Sequence, residues 1–566
     1  QTAILVIKPS SVADAAKTKP ALPGQLNKYL AVSMARKYRV LAATAGYGLQ
    51  RSDAGIDPVD VDEVFGNPVF LSFYSRYLRQ ERPEKLPWFQ AYNEIEEFRV
   101  MPIGPEATAR ARALYAKYVA PGSPDSLEFL SNENRVIAAE AMEALAEEQG
   151  DVHVDPDVLN MTAEEIKEEL RLHTYDKFVA SSYFAGIHEL KCREKEVPTA
   201  DHFYFLQQLG VGSFGEVYAV RKKDSQRRYA MKVMAKASQA QMSKRWAMYI
   251  RIECDVMASL FHPSLVNLNY CFQTPEAVFM VLDLVVGGDL EGFQANFVKG
   301  PPTLQMINFM AAELVSGFEY MHSQSVIHRD MKPPNVLIGS DGHLRIADFG
   351  LSLKLKPGEL LFDRTGTKPY MSPELHMASR SARRGYSFPA DWYALGVTLY
   401  EICNGGLDLP PNVQHTLHGL KQHRRALPAS FQFKDLRMED FTGNMASLDN
   451  GSKSFLCDLL KADPAQRPDS RGIKKHKFFA TVNWAALDAR LVKVPWTPEQ
   501  MAVLAAKELD ENVAMRKTAK DTLQHVYEMD KLEPVSKFDF VSPRAVMEEY
   551  LENIYQLRSG DDRNII

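Results

Sequence analysis

Apolar side chains recur at helical spacing from Val64 to about residue 190. Two apolar faces stand out: one is marked by Phe65, Phe70, Phe73 and Tyr77, and the second by Trp88, Tyr92, Ile95 and Phe98. Because such repeats place apolar residues on one side of a helix, residues 61–195 are predicted to form an all-α bundle. A further helix with Ile166, Leu170 and Leu172 is predicted to open at a capping box from Thr162 to Glu165.

The period of the pattern changes after Pro198. Residues 203–209, 216–220 and 229–234 alternate or run apolar with turn signals between them, which predicts a meander of strands. After Gly287 and Gly288 the pattern is mainly helical to about residue 480. Residues 200–480 are therefore predicted to form one α+β domain, an antiparallel strand lobe followed by a helical lobe.

Three segments flank these two domains. Residues 1–60 are predicted to be an N-terminal extension with one helix over 28–43. Residues 481–540 are predicted to be a tail, in which a capping box from Thr497 to Gln500 opens a helix to about residue 515. Residues 541–566 carry a C-terminal helix opened by Ser542 and Pro543, and whether residues 541–560 complete the N-terminal bundle is left open.

Composition and charge limit the partners and the compartment that the sequence favours. The chain of 566 residues has a net charge of −5 and a pI of about 6.3, which does not favour nucleic acid or a membrane surface as a partner. Its five scattered cysteines argue against a disulfide framework or zinc site and fit a reducing cytoplasm. No apolar run approaches the roughly 20 residues of a membrane span. Because the first residue is Gln1, processing or trimming is expected.

The most informative chemistry is the run from His328 to Asn335, followed by Asp348. Asp330, Lys332 and Asn335 have the spacing that phosphoryl transfer uses. We interpret Asp330 as the base that orients the attacking hydroxyl and Lys332 as the charge that neutralises the moving phosphoryl group. Asn335 and Asp348 are predicted to hold Mg²⁺. The alternative, a decayed site kept for its fold, is disfavoured because every chemical position is filled.

A nucleotide site is predicted upstream. Gly210, Gly212 and Gly215 lie between two predicted strands, as in a loop that covers phosphates. Lys232 is the expected partner of the α- and β-phosphates of ATP, and Glu253 is expected to pair with Lys232. The predicted adenine pocket consists of Leu209, Val217, Ala230, Leu282 and Leu337. Residues 283–288 are predicted to be the hinge, with Asp289 near the ribose.

These motifs resemble the protein kinase fold, which implies a bilobal domain that uses ATP and Mg²⁺. Residues 229–233, 287–290, 318–322 and 341–346 resemble the cyclic-nucleotide-dependent kinase superfamily and, within it, the G-protein-coupled-receptor kinases. Residues 65–98 and 175–184 resemble the regulator-of-G-protein-signalling homology domain of those kinases. The resemblance implies protein substrates and a G protein or other protein as a partner of the helical bundle.

The resemblance also implies roles for single residues. Lys332 and Thr367 mark serine/threonine specificity. Asp363 occupies the place of an activating phosphothreonine that Arg329 would grip. In the tail, Phe538 and Phe540 resemble the hydrophobic motif that clamps the small lobe, with Asp539 in place of its phosphorylated residue. Further implied contacts are a clamp between Glu374 and Arg467 and an anchor for the catalytic loop at Asp391.

Two departures from the receptor kinases stand out. Phe349 stands where those kinases usually have leucine. The C-terminal residues 561–566 contain no prenylation box, palmitoylation cysteine or basic cluster, so no membrane anchor is expected. Both departures weigh against a receptor as the substrate.

The sequence therefore predicts a cytoplasmic, ATP- and Mg²⁺-dependent protein serine/threonine kinase with an N-terminal helical homology domain. An alternative is a scaffold, whose bundle and tail dock a larger assembly while kinase activity is secondary. A Gα-binding module is a third interpretation that rests on fold analogy alone. The filled positions at Lys232, Asp330, Asn335 and Asp348 favour the enzyme.

Overall fold

The computed structural model describes residues 59–99, 101, 104–147, 154–155, 157–212, 215–297, 302–406, 435–506 and 517–550. These residues divide into two compact units. The first unit, the helical unit, contains the described residues up to Glu196 together with Asn483–Val492 and the described residues from Val546 onward. The second, the α+β unit, contains Val197–Val482 and Lys493–Ala545. The predicted helices over 28–43 and beyond residue 550 lie outside the described residues.

The helical unit is built from helices that succeed one another along the chain. They are α1 (Val61–Gly66), α2 (Pro68–Glu81), α3 (Leu86–Arg99), α4 (Pro105–Leu114), α5 (Asn132–Glu147), α6 (Asn160–Leu170), α7 (Asp176–Val179) and α8 (Ala185–Arg193), with π-helical turns at Tyr115–Val119 and Arg171–Tyr175. Asn67 caps α2, because its side chain accepts from the backbone N–H of Val69 at 3.0 Å and Phe70 at 3.3 Å. Pro68 follows at the first helical position, where a missing N–H costs nothing.

Aromatic rings fill the core of the helical unit. Tyr74 is fully buried, and its ring meets Phe65, Phe89 and Phe178 with centroids 5.0–5.8 Å apart. Both apolar faces predicted from the sequence point inward: Phe65, Phe70, Phe73, Tyr77, Tyr92, Ile95 and Phe98 are buried and Trp88 is half-buried. The tilted and edge-on ring pairs add to the area that these side chains bury.

One predicted capping box is wrong. Helix α6 begins at Asn160, two residues before Thr162, so Thr162 is a buried helical residue whose hydroxyl donates to the Asn134 side chain at 3.0 Å. Glu165 accepts from the backbone N–H of Ser131 instead of capping α6. Leu172, predicted on the apolar face, is 59% exposed because the helix widens into a π turn at Arg171. A change of helical pitch shifts the face on which later residues lie.

The α+β unit starts with a six-stranded antiparallel sheet in the order β1-β2-β3-β5-β4-β10. The strands are β1 (Phe203–Gly212), β2 (Gly215–Lys222), β3 (Arg228–Ala235), β4 (Leu268–Gln273), β5 (Ala277–Asp283) and β10 (Phe540–Val541), with the pairs β6 (Val326–Ile327) with β9 (Leu353–Lys354) and β7 (Val336–Ile338) with β8 (Leu344–Ile346). The three predicted strands of the meander are present as β1 to β3.

The other helices belong to this unit, apart from one short helix and the end of the last one, which belong to the helical unit. They are α9 (Lys236–Met242), α10 (Trp246–Ala258), α11 (Leu290–Phe297), α12 (Leu304–Ser323), α13 (Pro373–His376), α14 (Pro389–Asn404), α15 (Asn450–Leu459), α16 (Ser470–Lys474), α17 (Trp484–Asp488, in the helical unit), α18 (Pro498–Ala506), α19 (Ala519–Thr522), α20 (Gln524–Tyr527) and α21 (543–550). None of the described helices is both long and apolar enough to cross a membrane.

The tail packs onto this unit at several points along its length. Thr497 and Gln500 form the predicted capping box of α18, with reciprocal hydrogen bonds of 2.9 and 3.3 Å. Ahead of it, the Trp496 indole donates to the Gly342 carbonyl at 2.6 Å. Farther along, Ala519, Leu523 and Val526 join the core of the sheet. The last described residues belong to the helical unit, where the Tyr550 ring lies 6.0 Å from Phe73.

A buried ion pair closes the helical lobe of the α+β unit. Arg467 donates to both carboxylate oxygens of Glu374, at 2.6 and 2.8 Å. The Arg467 side chain has no exposed surface and also donates to the Pro389 and Lys461 carbonyls. This bidentate geometry satisfies both charges, which is the condition for burying them.

Candidate active site

The glycine-rich loop joins β1 to β2 as an antiparallel hairpin. Gly210 pairs with Val217 and Gly212 with Gly215, while residues 213 and 214 at its tip lie outside the described residues. Gly215 has φ +134°, and a Cβ there would lie 2.3 Å from the Val233 carbonyl oxygen. Only glycine fits where the two strands approach this closely. The backbone of the loop therefore carries no side chain at this position.

A buried ion pair joins the sheet to helix α10. Lys232 on β3 donates to Glu253 at 2.6 Å, and the two side chains are 14% and 9% exposed. Burial alone would lower the pKa of Lys232, but the carboxylates of Glu253 and Asp348 outweigh it and the pKa is raised. The predicted pairing is therefore present, and Lys232 carries its charge at neutral pH.

Four of the five residues predicted to line the adenine pocket lie on strands of the six-stranded sheet. Ala230 and Leu282 are direct cross-strand partners, and Val217 lies on the neighbouring strand opposite Lys232. Leu209 sits at an irregularity in β1 and is 42% exposed. A separate bridge places Leu337 opposite Asp289.

The hinge approaches the helical lobe closely. A Cβ on Gly287 would lie 2.2 Å from the Ile338 carbonyl oxygen, so this position accepts only glycine. Asp289 accepts from the Gly292 backbone N–H at 2.7 Å. The Asp289 carboxylate thus supports the first turn of α11, and its contact with a ribose stays a prediction.

Asp330 is held by three neighbours. Lys332 donates to one carboxylate oxygen at 2.7 Å, and Thr367 donates to the other from its backbone at 2.8 Å and its hydroxyl at 2.6 Å. Asn335 donates to the Asp330 carbonyl at 2.8 Å. Burial alone would raise the pKa of Asp330, but the hydrogen bonds from Lys332 and Thr367 bring it below its ordinary value. The carboxylate is ionised and fixed, as a group that orients a hydroxyl must be.

The segments that carry Asn335 and Asp348 lie side by side, because the Ala347 backbone N–H donates to the Asn335 carbonyl at 2.8 Å. Asp348 is exposed, and Phe349 beside it is buried against His328. An amide oxygen and a carboxylate are the hard donors that Mg²⁺ prefers, with nucleotide phosphates supplying further ligands. Within the described part of the chain, no cluster of three His, Cys, Asp or Glu side chains could hold a metal by itself. The donor set therefore fits Mg²⁺ bound together with a nucleotide.

Asp391, in the first turn of α14, anchors the catalytic loop. Its fully buried carboxylate accepts from the backbone N–H groups of His328 and Arg329, both at 2.9 Å, and contacts the His322 ring at 2.9 Å. Arg329 has φ +71° and Asp348 has φ +61°, a region that non-glycine residues rarely adopt. Such positions persist only where surrounding contacts hold them, and each costs of order 1–3 kcal/mol. The Asp391 hydrogen bonds supply that restraint at Arg329.

An ion pair joins the activation segment, the chain from Asp363 to Thr367, to the catalytic loop, residues 328–335. Arg329 donates to Asp363 at 2.7 Å, and the Tyr386 hydroxyl reaches the same carboxylate at 3.2 Å. Burial would raise the pKa of Asp363, but hydrogen bonding from Thr365 and the charge of Arg329 lower it. Gly366 has φ +128°, and a Cβ there would lie 2.5 Å from the Arg329 carbonyl oxygen. The segment is thus drawn against the loop that carries Asp330.

The predicted tail motif lies on the sheet edge beside α10. Phe538 is buried, and Phe540 pairs with Cys271 of β4. The Val535 backbone exchanges hydrogen bonds of 2.8 and 2.9 Å with the Gln273 side chain, and Arg251 of α10 donates to the Ser536 carbonyl. Asp539 lies near the buried Lys236; burial lowers the pKa of Lys236, and the carboxylates of Glu276, Asp539 and Glu533 only partly offset that effect.

Sequence reasoning missed several residues of this site. Tyr386 joins Arg329 and Asp363, and Arg544 of α21 forms a buried ion pair with Asp283 of the hinge at 3.3 Å. Burial would raise the pKa of Asp283, but Arg544 and two asparagines lower it to about 2. Tyr386 and Arg544 belong to no motif in the sequence, and they lie 23 and 261 residues from Asp363 and Asp283. A lone arginine at the start of an amphipathic helix was the sole signal for Arg544.

Comparison with known proteins adds two family matches. The family model of the protein kinase domain matches residues 203–479, and that of the regulator of G protein signaling domain matches residues 60–187. The chain is 34% identical to human serine/threonine-protein kinase 32B over 54% of this chain and 70% of that protein. It is 35% identical to human ribosomal protein S6 kinase alpha-1 over 54% and 39%, and 32% identical to protein kinase 2 of Dictyostelium discoideum over 54% and 60%.

The docking of the tail motif can be tested by truncating its rings. We expect the double variant Phe538→Ala with Phe540→Ala to lower the thermal midpoint of the α+β unit, because removal of a buried phenylalanine costs about 3–5 kcal/mol. Calorimetry measures this. Lys537→Ala, at an exposed neighbouring position, is the matched control. An unchanged midpoint in the double variant would show that the two rings do not hold the tail.

Proposed function

The chain belongs to the protein serine/threonine kinase family and is an ATP-dependent enzyme of that class, and from this premise we propose how its residues act and how the enzyme is kept active. A regulator-of-G-protein-signalling domain followed by a protein kinase domain is a receptor-kinase-like layout. The single observation that carries the proposed mechanism is the Asp330 carboxylate, ionised and fixed by Lys332 and Thr367.

In this mechanism, Asp330 accepts the hydrogen bond, and then the proton, of the serine or threonine hydroxyl of a protein substrate. Lys332, already 2.7 Å from Asp330, stabilises negative charge that develops on the moving phosphoryl group. Lys232, oriented by Glu253, would hold the α- and β-phosphates. Asn335 and Asp348 would hold Mg²⁺. When bound, ATP supplies the phosphoryl group and Mg²⁺ neutralises charge on its phosphates.

The nucleotide would lie under the glycine-rich loop. Gly210, Gly212 and Gly215 allow its phosphates to approach the backbone, and the apolar side chains near Ala230 and Leu282 would contact the adenine. Asp289 is proposed to contact the ribose from the start of α11. The reducing cytoplasm is the proposed location, which fits the five free cysteines.

We propose further that Asp363 substitutes for a phosphorylated residue in the activation segment. The support is its 2.7 Å ion pair with Arg329, the arginine that precedes the proposed base. A carboxylate carries about one negative charge where a phosphate carries nearly two, so the restraint is weaker but permanent. Because the pKa of Asp363 is lowered, the pair is charged at neutral pH and is lost only as the pH falls through that lowered pKa, in strongly acid solution.

The proposed base is tested by an isosteric change. We expect Asp330→Asn to bind ATP normally but to lose turnover by roughly 10²–10⁴-fold, since the amide cannot accept the proton. Asp348→Ala should also lose Mg²⁺-dependent nucleotide binding. Phosphate transfer to casein, nucleotide titration and phosphosite mapping measure these effects, with the exposed Asp125→Asn as control.

A near wild-type rate for Asp330→Asn would contradict the assignment of the base. Phosphotyrosine as the main product would contradict serine/threonine specificity. If wild-type protein bound no ATP at millimolar concentration, the scaffold alternative would account better for the chain.

The role of Asp363 makes a separate prediction. We expect Asp363→Ala to lower kcat several-fold at pH 7, because Arg329 loses its carboxylate partner, while Asp363→Glu retains most activity. Phosphatase-treated protein should match untreated protein. Unchanged activity in Asp363→Ala, or activity that requires phosphate on Thr365 by mass spectrometry, would contradict this role.

For the helical unit we propose a protein partner, with a G-protein α subunit as the first candidate. The support is the regulator of G protein signaling domain matched over residues 60–187. We expect the full chain to bind a Gα subunit in a nucleotide-dependent manner, so that affinities for the GDP, GDP–aluminium fluoride and GTP-analogue states differ in surface plasmon resonance. Equal, non-saturating signals for all three states would count against a G protein and leave other protein partners.

A further inference from the structure

Two cysteines meet behind the tail motif. Cys254 lies on α10 and Cys271 on β4, and their Sγ atoms are 3.2 Å apart. Both are buried, at 2% and 0% exposure, and both are free thiols. A disulfide has an S–S bond of about 2.05 Å, so an approach of about one ångström would join them. The pair therefore connects the helix that carries Glu253 to the sheet that carries Lys232.

The tail covers this pair of thiols. The Phe538 carbonyl oxygen lies 3.5 Å from Cys254 Sγ, and Phe540 is the strand partner of Cys271. Strand β10 has only two residues and lies at the edge of the sheet. A strand this short is held mainly by its neighbours, here the Val535–Gln273 hydrogen bonds and the buried Phe538 ring. When the tail leaves, the two thiols lose their cover together.

A covalent link at this place would act on the active site. Glu253 directly precedes Cys254 and pairs with Lys232 at 2.6 Å. Helix α10 is attached to the tail through Arg251 and Cys254, which contact the Ser536 and Phe538 carbonyl oxygens. A link from Cys254 to β4 would hold the same turn of α10 against the sheet without the tail. It would therefore preserve the position of Glu253.

We propose that Cys254 and Cys271 are a redox modification site: when the tail strand leaves β4, a peroxide oxidises the pair to a disulfide, which then holds α10 in place of the tail. The first thiol reduces hydrogen peroxide and becomes a sulfenic acid, releasing one water. The second sulfur attacks the sulfenic sulfur, the S–S bond forms and a second water leaves. Two thiols and one peroxide thus give one disulfide and two waters, and a dithiol reductant reverses the reaction.

The docked tail keeps the pair reduced. Burial raises the pKa of the Cys271 thiol well above its ordinary value, and the neighbouring Cys254 thiol and Glu253 add to this effect. The thiolate is the reactive form, so Cys271 is kept protonated and unreactive while the tail covers it. With the tail docked, water and peroxide have no access to either sulfur. The reduced pair is then stable beside the active site.

The cross-link is tested on the full chain with hydrogen peroxide as the probe. Wild type and the Phe538→Ala, Phe540→Ala double variant are oxidised in parallel, and cysteine peptides are mapped by mass spectrometry without reduction. We expect the Cys254–Cys271 peptide to form at least tenfold faster in the double variant and to disappear with dithiothreitol. No such peptide in the double variant, or equal rates in both proteins, would overturn the proposal.

The consequence for α10 is tested by activity, and this arm rests on the proposed function. We expect the reduced double variant to be several-fold less active than wild type and oxidation to restore most of that loss. Adding Cys271→Ser to the double variant should abolish the restoration, whereas adding Cys192→Ser, at a thiol far along the chain, should not. A cross-linked double variant that stays as inactive as its reduced form would overturn the proposed holding role. Absence of activity in reduced wild type would contradict the kinase mechanism instead, while the peptide map would still decide the cross-link.

Discussion

The ion pair between Lys232 and Glu253 is the interaction on which the rest of the α+β unit depends. Its 2.6 Å contact joins a strand to a helix, so it exists only while α10 lies against the sheet. Burying one of these charges without the other would be strongly destabilising, by about 3–5 kcal/mol. Formation of the pair therefore depends on the position of α10. Whatever holds α10, whether the tail or a covalent link, determines whether Lys232 is positioned.

In the catalytic loop, backbone hydrogen bonds likewise fix the position of a charged side chain. Arg329 is kept at φ +71° by hydrogen bonds to the buried Asp391, and its side chain then reaches Asp363. Asp363 in turn lies three residues before Gly366, whose backbone touches Arg329, and four before Thr367, which binds Asp330. Charge on the activation segment is thus coupled to the position of the proposed base. If Asp363 acts as proposed, this coupling is a property of the amino-acid sequence rather than of a modification.

The chain also contains a helical unit with its own aromatic core. The buried rings around Tyr74 make that unit a stable body, and the family match over residues 60–187 identifies its class. Tyr550, near the end of the described chain, packs on Phe73 of this unit.

Much of this protein could be predicted from the sequence. Strands β1 to β3, the apolar helix faces, the fold class and the kinase motifs were identified because their signals are local: alternation, helical period and residues a few positions apart. Where the sequence failed, the cause was also physical. The π turn at Arg171 places Leu172 at the surface, and the local spacing predicts a cap at Thr162, whose actual partner, Asn134, lies on another helix. Only the tertiary structure brought Arg544 to Asp283, Tyr386 to Asp363 and Cys254 to Cys271. Such contacts depend on the packing of whole elements, which no pattern within one element encodes.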